Sequence, residues 1–229
     1  MHIKFHSHDP RLDEIALRIA KKHNHDLYSS IIRIYPELCL QNENTASQFL
    51  SVYNKVDRKI RKSKAIYQTL WLSIEDKWFS FLDRLFPGTE KHFPVSIIIA
   101  HLGINTICPR DLHECSFLIP INSPGALRII AHETSHFYFY YYLISKNIAN
   151  KDEIFSSKRI WLVSEAIVPL IFETKESIQL IGPQETASYA CTNEQISEIR
   201  SAFSMAYSGD SDFIDVLPDI YEKTGNWEK

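Results

Sequence analysis

The sequence predicts an α+β chain that is mostly helical with a small mixed sheet, and three observations predict it. The 229 residues include only 6 Gly, where average usage would give about 16. A barrel or sandwich needs a turn every ~8–12 residues, and so few Gly do not supply them. Apolar residues recur at helical spacing along most of the chain, while two short apolar runs near the middle break that period. With 45% apolar and 23% charged residues, the chain can bury a core and should fold.

Residues 1–92 read as helical. Asp9-Pro10 is an N-cap and first-turn signal, followed by Leu12, Ile15, Ala16, Ile19 and Ala20 on one helical face. A second apolar stretch, Ile31 to Leu40, is interrupted by Pro36. Thr45 or Ser47 then starts one long helix through Val52, Ile60, Leu70 and Leu82, stopped by Phe86-Pro87-Gly88. Val95 to Ala100 reads as a buried strand. Ser116 to Ile121 reads as a second, placed at an edge because Pro120 lacks the N–H of a central strand. Ser123 can cap, and Pro124 open, a helix from about Gly125 to Ile144. Ser156 or Ser157 caps another, to Glu173 with Pro169 inside it. Further helices follow from Pro183 to Tyr207 and from Phe213 to Thr224, with a turn at Gly209 to Asp212 between them. The division expected is a helical region, 1–92, and a region 93–229 that carries the chemistry, as two domains or as parts of one compact domain.

Composition excludes several functions. A net charge of −3 is a poor footprint for nucleic acid, and the basic segment Lys55 to Lys64 reads first as a solvated helix face. The four Cys, at 39, 108, 115 and 191, form no CxxC pair and are too sparse for a disulfide scaffold. Reduced thiols fit an intracellular protein. Cys108 to Cys115, with His113 and Glu114 between them, reads as an ordinary loop rather than an accessory metal loop. The N-terminus has no apolar signal segment, so a cytoplasmic location is expected, signal-less secretion aside. The longest apolar run, Phe137 to Ser145, is short of the ~20 residues of a membrane span.

The chemistry is concentrated at His132-Glu133-Thr134-Ser135-His136, an HExxH motif inside the Gly125 helix. Residues four apart share a helix face, so the two imidazoles can grip one Zn²⁺ ion. Glu133 points about 100° away and can act as general base on a water that the metal acidifies. The neighbours Ile129-Ile130-Ala131 and Phe137-Tyr138 are uncharged, which suits a dry metal shell.

A third ligand is needed, and no His follows His136. Phe139 and Tyr142 stand where a metzincin would carry Gly and His. The remaining candidates are Asp152, Glu153, Glu165, Glu173, Glu176, Glu185 and Cys191. Asp152 and Glu153 lie in a polar connection, and Glu173 and Glu176 near a helix end. Glu165 alone sits within an apolar helix, between Trp161-Leu162-Val163 and Ala166-Ile167-Val168, where a lone carboxylate needs a cation.

HETSH followed by a helix reading WLVSEAIVPLI resembles the gluzincins, thermolysin-like zinc metallopeptidases. Ser164-Glu165-Ala166-Ile167 is similar to the glutamate helix of peptidyl-dipeptidases. The resemblance covers about Val95 to Phe172. It implies a zinc site of His132, His136 and Glu165, and a peptide or protein substrate that pairs with an edge strand, the position SFLIPI occupies. Two departures stand out. Many members place an Asp that orients a zinc-bound His where this chain has Pro169, and no motif fixes the donor that stabilises the transition state. Tyr189 is the first candidate for that donor, with Tyr207 behind it.

The reading is therefore a zinc-dependent metallohydrolase, most simply a peptidase. The alternatives are an inactive or non-proteolytic gluzincin-like binding or effector module, and a helical interaction protein with an incidental HExxH. The N-terminal His2, His6, His8, His23 and His25 read as incidental. Six aromatics in a row, Phe137 to Tyr142, follow the second histidine; they read as burying the motif helix, with Phe139 and Tyr140 walling the cleft.

Overall fold

The computed structural model describes residues 1–38, 45–183, 190–225 and 227. They form a mostly helical chain with one mixed, four-stranded sheet. Two compact units emerge, each built from two stretches of chain: Met1–Ser73 with Val95–Ile130, and Ile74–Pro94 with Ala131–Lys229. One of the three crossings, between Pro94 and Val95, falls beside the division expected at 92/93. The others lie at 73/74 and 130/131, inside stretches that read as unbroken helix.

The first unit holds the sheet. Strand β1, His2–His6, pairs in parallel with β2, Ile97–Gly103, which pairs in parallel with β4, Ser116–Pro120; the two-residue β3, Arg110–Asp111, runs antiparallel to β4. The first strand corrects the all-helical reading of residues 1–92. Ile3 and Phe5 point into the core between exposed or half-exposed neighbours, but five residues are too few for that alternation to declare itself. The edge assignment of Ser116 to Ile121 is corrected in part. Register with β3 covers Ser116 and Phe117, and the Leu118 N–H donates to the Pro109 carbonyl at 3.0 Å. Pro120 follows two residues on, its nitrogen on the same side, past the end of β3. A proline is tolerated there because no ladder bond is due. β2 and β4 approach so closely at Gly103 that an added Cβ would lie 2.6 Å from the Leu118 side chain.

Helices cover this sheet. α1, Pro10–His23, begins as expected, with the Asp9 carboxylate accepting the Arg11 N–H and Pro10 in the first turn. α2, His25–Ile34, stops before Pro36. α3 runs Thr45–Leu72 and buries Phe49, Val52, Val56 and Ile60. It is separated by a turn from α4, Glu75–Leu85, so the single long helix expected up to Leu82 is two. The apolar period continues across Ser73-Ile74, which hides the break.

In the second unit α5, Ala126–Ser145, continues from the first unit at Ala131. α6, Lys151–Ser156, replaces the polar connection expected there; Asn150 and Glu153 close a capping box at its start. α7, Lys158–Phe172, is capped by Ser157 as expected and contains Pro169. α8, Lys175–Ile181, α9, Asn193–Ser208, and α10, Phe213–Gly225, complete the unit. The helix expected from Pro183 begins at Asn193 in α9; residues 184–189 lie outside the described ones. Phe137 to Tyr142 are all buried. Phe139 and Tyr142 pack on Phe86 of the α4 C-cap and on Phe213 of α10, a ring cluster that fixes α5 from several sides. Among the described residues, no helix is long and apolar enough to cross a membrane.

Candidate metal centre

α5 presents His132 and His136 on one face, as the four-residue spacing dictates. Their Nε2 atoms lie 2.9 Å apart, and the rings meet edge to face with centroids 4.6 Å apart. α7 supplies Glu165, whose Oε1 lies 3.4 Å from His136 Nε2. Among the described residues these three form the single group of His, Cys, Asp or Glu side chains whose ligand atoms converge, all within 4.8 Å of one another. Ligands at ~2.0–2.2 Å from a tetrahedral zinc lie about 3.3–3.6 Å apart; the His136–Glu165 pair, at 3.4 Å, stands at that spacing, and the two histidines, at 2.9 Å, stand somewhat inside it. His136 is fully buried, Glu165 nearly so, and His132 is partly open.

The tautomer of His136 follows from its neighbours. Its Nδ1 lies 3.1 Å from Ser164 Oγ, which also contacts the Trp161 carbonyl at 2.9 Å and the Tyr140 hydroxyl at 2.7 Å. A carbonyl only accepts, so the one Ser164 proton goes to Trp161. Tyr140 and His136 Nδ1 must then both donate into Ser164 Oγ. That places the His136 lone pair on Nε2, facing His132 and Glu165. An imidazole lone pair, a second imidazole and a carboxylate converging in one place make a group that could hold a metal ion.

The sequence alone gives Ser164 no role beyond its place beside Glu165. Its signal was available: like Glu165, it is a polar residue in an otherwise apolar helix run. Adjacent on α7, the two reach opposite nitrogens of one ring. Ser164 thus takes the orienting role that Pro169 cannot. Pro169 instead removes the N–H that would bond the Glu165 carbonyl one turn back.

Glu133 is buried, with Oε1 4.0 Å from His132 Nε2. The two residues between the motif's ends are satisfied locally. The Thr134 hydroxyl donates to the Ala131 carbonyl and accepts the Trp78 indole N–H at 3.0 Å, while Ser135 donates to the same carbonyl. Phe172 of α7 lies against the His132 ring at 6.1 Å.

The other candidates separate cleanly. Glu153 caps α6, Glu173 pairs with Arg200, and Glu176 accepts the Tyr207 hydroxyl. Tyr207 is thereby committed to α8 rather than to the metal group. Cys191 is buried with its thiol directed at the Leu162 carbonyl, 3.8 Å away. Asp152 is exposed at the start of α6. Glu185, Tyr189 and Cys39 lie outside the described residues. Phe139 and Tyr140 do not wall a cleft: Phe139 belongs to the ring cluster, and Tyr140 stacks on His136 at 6.1 Å with its hydroxyl on Ser164. In the loop from Cys108 to Cys115, the Asp111 carboxylate accepts the N–H groups of His113 and Glu114, an ordinary turn.

Comparisons with protein-family models, with curated proteins and with solved structures give no match to this chain.

Proposed function

We propose that the chain is a zinc-dependent metallohydrolase whose most natural substrate is a peptide bond. One observation carries the reading: His132, His136 and Glu165, from two helices, converge within ligand distance while Glu133 lies beside them. Two His four apart on a helix and one carboxylate, with a fourth position left for water, suit catalytic zinc. When bound, zinc would polarise a carbonyl and lower the pKa of a coordinated water to about 7.

The chain's own residues supply the rest. Ser164 and Tyr140 hold the His136 ring with its Nε2 lone pair inward. Glu133 accepts a proton at its carboxylate and returns it to the leaving amine as general base, then acid. The apolar faces of α5 and α7 exclude bulk water, which strengthens each of these interactions.

The test is made on the purified full chain. Elemental analysis should find about one zinc per chain; stoichiometric iron instead, which a two-His, one-carboxylate set also accepts, would sink the reading. Glu133→Ala should keep the metal and abolish hydrolysis of a peptide library. A metal-holding module without hydrolysis is the second reading. It is favoured by the engagement of Tyr207 with Glu176, which takes that hydroxyl out of the running as an oxyanion donor. Zinc uptake with no cleavage of any peptide in the wild type would select it.

A further inference from the structure

We propose that the outward stripe of α3 seats the protein on a bilayer surface carrying anionic headgroups. The chain's net charge is −3, yet between Thr45 and Leu72 stand six Lys or Arg and one carboxylate, Asp57. Two of those cations are engaged, Lys55 with Glu37 and Arg61 with Asp57. Arg58, Lys59 and Lys62 are exposed and make no ion pair among the described residues. Farther along the same helix Ile66 and Leu70 are exposed at 44% and 42%.

These five residues belong together. Positions 58, 62, 66 and 70 are four apart and 59 is three before 62, so the five fall within an arc of about 120° on one helix face. The stripe extends for about 18 Å, cationic at one end and aliphatic at the other. The other side of the helix holds the buried Val56, Ile60, Tyr67 and Trp71, so α3 is anchored and its outward face is fixed in direction.

That composition selects the partner. A nucleic-acid backbone has use for the cations and none for Ile66 and Leu70. An anionic bilayer uses both: Lys and Arg lie at headgroup level, and the aliphatics enter the acyl boundary. A single helix face is also convex, which suits a plane. Nothing in this requires the metal centre.

The experiment is sedimentation of the full chain with vesicles of pure phosphatidylcholine, and with vesicles in which about a third of the lipid is phosphatidylserine. Binding is expected to the second and not the first at roughly 0.1 M salt, and is lost at roughly 1 M. The triple change Arg58→Gln, Lys59→Gln, Lys62→Gln should weaken it about a hundredfold, at roughly fivefold per cation. Ile66→Ser with Leu70→Ser should weaken it roughly tenfold. All five sites are exposed, so the variants should show the wild-type circular dichroism and melting curve, and Glu133→Ala should bind as wild type does. Equal binding to both vesicles, or wild-type binding by either variant, overturns the proposal. So does tighter binding to duplex DNA than to the anionic vesicles, which would make the face a nucleic-acid site.

Discussion

Asp13 in the first unit and Glu165 in the second are both buried carboxylates on helices, and their surroundings are opposite in kind. Asp13 is met by donors. Tyr53 donates its hydroxyl, Asn105 its backbone N–H at 3.2 Å and its side-chain N–H at 2.6 Å, and Ile104 its N–H at 3.3 Å. These tie α1 to α3 and to the loop after β2, and the carboxylate's acceptor capacity is filled from within the fold. Glu165 instead lies 3.4 Å from His136 Nε2, on the side of that ring where its lone pair and His132 converge. One carboxylate is a structural joint met by donors of the fold; the other stands with two imidazoles in a group that could hold a metal ion. Burial alone therefore does not mark a functional acid. The sign of the groups around it does.

The largest effect that could break this contrast is on metal affinity. Glu165→Ala should lower zinc affinity by about a thousandfold or more, beyond the 10–100-fold typical of residues that only support a ligand. Chelator competition measures it, and the metal-free variant should unfold in urea near the wild-type midpoint. Asp13→Ala should do the reverse. It strands the buried N–H groups of Asn105, at ~1–3 kcal/mol each, and the half-buried N–H of Ile104, and should cost about 3 kcal/mol of stability while leaving zinc content unchanged. Zinc loss in the Asp13 variant would erase the distinction.

A somewhat smaller effect is pH-dependent. Burial pushes the Asp13 carboxyl up to about 6 from 3.8, and the hydrogen bonds from Tyr53, Asn105 and Ile104 hold it from rising further. The Tyr53 hydroxyl is itself pushed upward, first by burial and then by the Asp13 charge, so it remains the donor. The native state binds the Asp13 proton more tightly than the unfolded chain does. Stability from this group is therefore gained as pH falls from about 7 through 6 towards 4, with a ceiling of about 3 kcal/mol for the full shift. Urea unfolding at a series of pH values, compared between wild type and Asp13→Asn, isolates the term. An identical pH slope in the two proteins would show that Asp13 does not titrate differently on folding.

The two sites were unequally legible in the sequence. His132, Glu133 and His136 declare themselves by spacing, because helix geometry alone puts them together. Glu165 is legible for a different reason: it is an acid within the run Trp161 to Ile171, where no solvent-facing period would place one. The Asp13 cluster left no such trace. Asn105 lies ninety-two residues away in a loop, and Tyr53 sits at an ordinary core position of α3; only the tertiary fold joins them. β1 escaped for a similar reason, since its parallel partner β2 is nearly a hundred residues on. The break between α3 and α4 escaped because core residues on both sides, Trp71 and Trp78, keep the helical rhythm across it.

The smallest effect sharpens what completes Glu165's half of the comparison. If Ser164 fixes the His136 tautomer, Ser164→Ala removes the acceptor for Nδ1–H but no metal ligand. Zinc affinity should fall about tenfold, at the low end for a residue supporting a ligand. Stability of the metal-free protein should fall by about 1 kcal/mol, because the Tyr140 hydroxyl loses a buried partner. Nitrogen-15 spectra of the metal-free protein give the decisive reading. In the wild type His136 should be the Nδ1–H tautomer; in Ser164→Ala it should become a mixture, and Ser164→Thr, which restores the hydroxyl, should return it. A fixed Nδ1–H tautomer in the alanine variant would show that the Glu165 side of the site, rather than Ser164, sets the ring. The donor-filled surroundings of Asp13 would then have no counterpart around the metal group.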